Sequence, residues 1–323
     1  MEDKDMDSTF VVGIDVGGQT SKLGVVDANG TVLAQTVIRT DTYTDVEPYI
    51  AELADAVRKV IGESGTEGKI KGIGVGAPNG NYYTGTIEGA VNLTWGGDKA
   101  IEFTKLLSEA MGGLPVALTN DANAAAVGEM TYGAARGMKD FIMITLGTGV
   151  GSGIVINGNV LYGHDGFAGE LGHVTAERNG RQCNCGKKGC LETYASATGV
   201  ARTAREWLDN TDEPSVLRNV EKIASKDVYE AAKAGDGLAL RIFDYTGEVL
   251  GRAFADFIAF SSPEAIVLFG GLARAKEFLL EPMQNAMNEN VMPLWKNKVK
   301  IVFSQLKESD AAILGASALA WNL

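Results

Sequence analysis

Cysteine is scarce: the chain has three, all between positions 183 and 190. An odd, tightly spaced set without an export signal points to metal binding rather than disulfides. Histidine is scarcer still, with only His164 and His173. Positive charge is in deficit, 29 Lys and Arg against 41 Asp and Glu, for a net charge of −12. Nucleic-acid binding needs clustered Lys and Arg, so no nucleic-acid partner is expected. An anionic cofactor stays open, because backbone amides and helix ends set the local field. Long apolar runs are missing; Asp256 and Glu264 interrupt the best candidate, so no membrane span is expected. Residues 1–9 lack the basic and apolar regions of a signal peptide, and the expected location is the cytoplasm.

Glycine, by contrast, is plentiful, and it punctuates an alternation of strands and helices. Apolar runs at Phe10–Val16, 21–27 and 31–39 predict three strands, the last two joined by Ala28-Asn29-Gly30. Val46, Ile50, Leu53, Val57 and Ile61 then fall on one helical face. Strands at 71–77 and 115–118 flank a helix at 102–111. A strand–glycine–strand arrangement returns at Phe141–Leu146 and 154–156, echoing residues 10–26 and suggesting an internal duplication. Residues 203–260 read as helical, with Asp227 and Glu230 as a capping pair; strands at Ala265–Phe269 and 299–303 and a helix at 310–319 follow. This is an α/β architecture, and 323 residues predict two lobes. The division falls near Thr119: residues 1–118 form a small lobe, joined by a C-terminal helix at 308–323, and residues 119–307 a large one.

Four stretches carry chemistry. Asp15-Val16-Gly17-Gly18-Gln19-Thr20 ends a strand in a small-residue turn whose amides suit a phosphate, and Asp15 suits a hydrated magnesium ion. Gly147-Thr148-Gly149 opens a second such turn. Neither matches the P-loop or dinucleotide spacing. Thr119-Asn120-Asp121-Ala122-Asn123 follows a strand and starts an alanine-rich helix. One polar residue there is explained by an N-cap; three so close suggest more. Asp121 is then a general base kept ionised by the helix dipole, and Asn120 a substrate partner. Finally, His173, Cys183, Cys185 and Cys190 supply one nitrogen and three sulfurs, a closed tetrahedral set for structural zinc. Glu170 and Glu192 bracket that cluster, and His164 is a loop residue.

In order and spacing, Asp15-Val-Gly-Gly, Asn120-Asp121-Ala-Asn123, Leu146-Gly-Thr-Gly-Val-Gly, Glu170-Leu-Gly-His173 and Cys183-Asn-Cys-Gly-Lys-Lys-Gly-Cys190-Leu-Glu192 resemble the ROK family of repressors, open reading frames and sugar kinases. The resemblance runs from Val11 to Leu319 and is nearest to the bacterial glucokinases. It implies the duplicated, ribonuclease H-like fold of actin-like ATPases, with two lobes around a cleft. It also implies ATP with Mg2+, phosphoryl transfer to the 6-hydroxyl of a hexose, and structural Zn2+. Asp121 would be the catalytic base; Asn120, Asp121, Glu170, His173 and Glu192 would hold the sugar, with Asn79 as a further contact. His173 would put one ring nitrogen on zinc and the other toward the sugar. Asp15, Gly17, Gly18, Gln19, Thr20, Gly147, Thr148, Gly149, Gly270 and Gly271 would line the ATP site. Two departures stand out: Gly18-Gln19-Thr20 replaces the usual Gly-Gly-Thr-Lys or Gly-Gly-Thr-Asn, and Pro78-Asn79-Gly80 replaces Pro-Gly. Glucose is the expected substrate and a homodimer the expected assembly. Other hexoses (N-acetylmannosamine, N-acetylglucosamine, allose, fructose) and polyphosphate as donor remain alternatives. A repressor is not expected, since about nine residues before the first strand cannot form a helix-turn-helix domain.

Overall fold

The computed structural model describes residues 9–323, and of Glu308 the backbone alone. Residues 1–8, most of the stretch read above for export features, lie outside it. In chain order come β1 (Phe10–Val16), β2 (Thr20–Val26), β3 (Val32–Arg39), α1 (Val46–Ser64), β4 (Ile70–Gly76), β5 (Gly80–Asn81), β6 (Thr86–Ile87), α2 (Phe103–Ala110), β7 (Val116–Thr119) and α3 (Asp121–Tyr132). The architecture then restarts with β8 (Phe141–Leu146), β9 (Val150–Ile156) and β10 (Asn159–Val160). It continues through α4 (Glu192–Ala195), α5 (Ala197–Asp209), α6 (Ser225–Lys233), α7 (Gly237–Ser261), β11 (Ala265–Phe269), α8 (Lys276–Asn290), β12 (Lys300–Phe303) and α9 (Glu308–Ala320).

The two large sheets have the same strand order, β3-β2-β1-β4-β7 and β10-β9-β8-β11-β12. In each, an antiparallel hairpin leads into parallel neighbours. The duplication is thus one of topology. Two units follow: the described residues through Gly137 with Val160–Gly169 and Gln305–Leu323, and Met138–Asn159 with Glu170–Ser304. The helix α3, assigned from sequence to the larger lobe, packs in the first unit, where Ala124 and Val127 meet Ala318 and Leu319 of α9.

In the first unit α1 covers one face of the sheet. Tyr49, Leu53, Val57 and Val60 are fully buried against Val12, Ile14, Leu23 and Val75, while Val46 and Ile61 sit at the margin. Each fully buried apolar side chain of this kind contributes about 1.5–3 kcal/mol. Tyr49 keeps its polar end satisfied through Ser21, whose Oγ lies 2.7 Å from Tyr49 Oη and 2.8 Å from Thr40 Oγ1. On the other face α9 comes very close. A Cβ on Gly13 would lie 2.1 Å from the Ile313 carbonyl oxygen, and one on Gly74 1.9 Å from that of Ala316. In the second unit α8 packs on α7, with Pro282 against Gly247. Here the structure corrects the capping pair: α6 starts at Ser225, Asp227 accepts from the Ala224 amide at 2.8 Å, and Glu230 pairs with Lys233 instead. No helix among the described residues is long and apolar enough to cross a membrane.

Candidate active site

In the first unit the parallel register lines up the functional ends of three strands. Asp15 of β1 sits beside Gly76 of β4, and Gly76 beside Thr119 of β7. Asp15 and the α3 start that follows Thr119 therefore share one sheet edge, where open α/β sheets bind ligands. The turn after Asp15 is closed by the Gly17 amide donating to the Thr20 carbonyl at 3.1 Å, and the Gln19 side chain is exposed. Asn120 is the N-cap of α3: its Oδ1 accepts the Asn123 amide at 2.7 Å, which leaves its side-chain NH2 as the donor face. Asp121 Oδ1 accepts the Ala122 amide at 2.8 Å.

The electrostatics differ from the sequence expectation. Asp121 retains solvent exposure, but the protein around it raises its pKa, and the Ala122 and Asp121 amides offset this only in part. The helix start does not hold this carboxyl in the ordinary range. Asp15 is pushed from 3.8 up to about 6, first by burial, then by the charge of Asp121, against the opposing Lys22. Because the folded pKa lies above the unfolded one, ionised Asp15 costs stability. That cost is absent below about pH 4, grows through pH 6 and is complete above it. Asp15→Asn is therefore expected to melt above the parent at pH 7.5, by up to roughly 3 kcal/mol at about 1.4 kcal/mol per pKa unit. The gap should close by pH 4; equal melting curves at pH 7.5 would show that Asp15 carries no such strain.

Asn79 adopts a left-handed backbone, φ 53°, and its amide donates to the Glu88 and Gly89 carbonyls at 2.9 and 3.1 Å. Its donors thus shape its own loop. That loop ties to residues 160–169: Tyr82 stacks on Tyr162 with centroids 4.1 Å apart, and Asn81 donates to the Asp165 carbonyl at 2.8 Å. His164 is exposed there, as a loop residue.

In the second unit the glycine turn joins β8 to β9, with the Gly147 amide donating to the Gly149 carbonyl at 3.1 Å. The first turn of α5 holds it: the Ala197 amide donates to the Gly147 carbonyl at 2.9 Å, and Thr198 Oγ1 to that of Thr148 at 2.8 Å. Gly270, at φ 103°, lies against the strand that precedes the turn; a Cβ there would stand 2.6 Å from the Leu146 oxygen. Only glycine combines that dihedral with that approach. Gly147, Thr148 and Gly271 line a cavity of about 490 Å3, together with Lys226, Tyr229 and Arg274. Nothing local in the sequence marks these last three; helix packing brings them there.

A 3-10 turn at Leu171–His173 follows Glu170, which is exposed. The Leu171 amide docks it on β9 through Ser152 Oγ at 3.0 Å. His173 Nδ1 is 3.7 Å from Cys183 Sγ, Cys185 Sγ is 3.6 Å from Cys190 Sγ, and all four ligand atoms lie within 4.8 Å of one another. Tetrahedral zinc with bonds of about 2.3 Å to sulfur spaces its ligands roughly 3.8 Å apart, so the donor set fits. Glu192 lies between this cluster and the glycine turn. Its Oε1 is 3.1 Å from Cys183 Sγ and 3.6 Å from His173 Nδ1, while a Cβ on Gly149 would meet its Oε2 at 2.7 Å.

Known proteins share this organisation. The chain is 39% identical to a glucokinase of Halalkalibacterium halodurans over 324 positions, 97% of this chain and 96% of that one. It is 36% identical to a glucokinase of Thermotoga maritima, covering 96% of each. A ROK family glucokinase from Streptomyces griseus, solved in complex with glucose and AMPPNP, superposes with a TM-score of 0.77 at 30% identity, covering 97% of this chain and all of that one. Its fold is thus the actin-like ATPase fold of the ROK sugar kinases. Residues 11–322 match the ROK family, and the chain belongs to it.

Proposed function

We propose that the protein is an ATP-dependent glucokinase that forms glucose 6-phosphate. The observation that carries this reading is the pairing of Asp121 with Asp15 on one sheet edge, in a chain whose full-length relatives include glucokinases. Asp121 accepts the proton of the 6-hydroxyl as its oxygen bonds to the γ-phosphorus and the bond to the β-phosphate oxygen breaks. A base works best with a pKa near the working pH, and the protein packed around the Asp121 carboxyl moves it in that direction. Asp15 would hold a hydrated magnesium ion, whose charge neutralises the phosphate oxygens. Each glycine turn offers backbone amides suited to phosphate, and the cavity beside Gly271 takes the adenosine. A cavity of about 490 Å3 suits a nucleoside and favours ATP over polyphosphate as donor. The closed His173, Cys183, Cys185 and Cys190 set makes zinc structural. We infer a homodimer in the cytoplasm, an assembly that sedimentation reads directly.

Asn120, Glu170, His173 and Glu192 take the sugar. Ionised Glu170 and Glu192 only accept hydrogen bonds, so they need a hydroxyl donor at each position. A sugar lacking the hydroxyl leaves an acceptor it covers without a donor, at about 1–3 kcal/mol, roughly 5- to 150-fold in kcat/KM. N-acetyl adds bulk against a His173 pinned by metal. The expected order with ATP is therefore glucose, then 2-deoxyglucose, then N-acetylglucosamine. The same panel run with polyphosphate tests the donor. An N-acetylhexosamine outrunning glucose would move the substrate, and faster turnover with polyphosphate would move the donor.

A further inference from the structure

Arg181 is a buried cation that the kinase chemistry leaves without a task. Its side chain is 8% exposed. A guanidinium has five N–H donors, and here each has an acceptor. Nε donates to Glu206 Oε2 at 3.0 Å. One terminal nitrogen donates to the Thr193 carbonyl at 2.7 Å and the Gly199 carbonyl at 3.4 Å. The other donates to Thr203 Oγ1 at 2.9 Å and again to Glu206 Oε2 at 2.5 Å. The guanidinium carbon lies 4.4 Å over the Tyr194 ring, and Tyr194 Oη accepts the Arg181 amide at 2.8 Å.

Three functional segments meet at this side chain. Arg181 closes the base of the cysteine loop, its carbonyl accepting the Gly189 amide at 2.8 Å, with Cys183 and Cys185 inside the loop and Cys190 the residue after Gly189. Thr193 follows Glu192 directly. Gly199 belongs to the first turn of α5, the turn that holds the Gly147 and Thr148 carbonyls. We propose that Arg181 is a positioning residue that ties the metal loop to the second glycine turn, with Glu192 held between them. Retention of metal and affinity for the sugar then depend on one planar fork. Lysine keeps the charge but has three donors on one point, and cannot span acceptors on α4 and along α5 as well.

The sugar arm rests on the glucokinase reading; the metal arm does not. Arg181→Lys and Glu206→Gln are compared with the parent protein, folded by circular dichroism. The first readout is the rate at which a chelator extracts zinc; the second is the split between KM and kcat. Losing an outer-shell partner of a metal site costs about 10–100-fold in affinity or activity. Arg181→Lys is expected to release zinc at least about tenfold faster and to raise the glucose KM by a comparable factor. Glu206→Gln, which keeps an acceptor, should move both in the same direction by less. A purely structural role would lower the melting temperature and leave zinc release and KM within twofold, and that result overturns the proposal. Parent protein that binds no zinc also overturns it. Parent protein that holds zinc but ignores glucose sinks the glucokinase reading, while zinc release still decides the tie.

Discussion

Asp121→Asn is expected to lower kcat for glucose by about 10²–10⁴, the usual loss for a positioned general base, and to leave glucose binding in place. Asparagine keeps the shape and the oxygen that accepts the Ala122 amide at 2.8 Å, so the α3 start survives. On the proposed mechanism it removes the oxygen that would take the proton of the 6-hydroxyl. The substitution also takes away the charge that helps push Asp15 up to about 6, so Asp15 should titrate lower in this variant. Calorimetry would follow glucose binding, and single turnover with ATP would follow chemistry. Turnover within a few-fold of the parent would place the base elsewhere. Loss of glucose binding alongside turnover would make Asp121 a binding residue first.

Cys185→Ser is expected to remove the metal and, with it, most glucose affinity. Serine offers zinc a poor ligand in place of a thiolate and leaves three donors where a closed site needs four. The consequence stays local, because the loop base is still held through Arg181, Thr193 and Gly199. Circular dichroism should thus change little while metal content falls to near zero. Glucose affinity should fall at least tenfold, since on the proposed reading a metal would set the His173 ring, and Glu192 lies 3.6 Å from it. Metal analysis and glucose titration on the same preparation check both. An active variant, or a parent with three freely titrating thiols and no metal, would mean the cluster has been misread.

The legible parts of this fold are the parts where local chemistry decides. β1, β8 and β11 are buried along most of their length, so they read as continuous apolar runs and appear where those runs lie. Asn120 caps α3 through Oδ1, as an Asn ahead of an alanine-rich stretch predicts. The cysteine spacing marked the four residues that come within 4.8 Å of one another, a group able to hold a metal, because they come from one short loop and one upstream turn. What stayed hidden depends on distant partners. The helix α8 carries Pro282 in its interior and packs on Gly247 and Gly251 of α7, so its apolar period is weak and its proline misleads. The raised pKa of Asp121 comes from the protein packed around its carboxyl, which only the folded chain brings there. Arg181 looks like any loop arginine until Glu206, Thr203 and Gly199 close around it. Tyr229 and Arg274 lie 45 positions apart, and only packing sets them around one cavity.

The most direct test is product analysis. The parent protein and Asp121→Asn are each incubated with glucose, ATP and magnesium, and products are followed by phosphorus and proton NMR. The account predicts ADP and glucose 6-phosphate in equal amounts from the parent, with the phosphoryl group on the 6-hydroxyl, and about 10²–10⁴ less of both from the variant. ADP with free phosphate and no sugar phosphate, or a phosphoryl group on another hydroxyl, would contradict it.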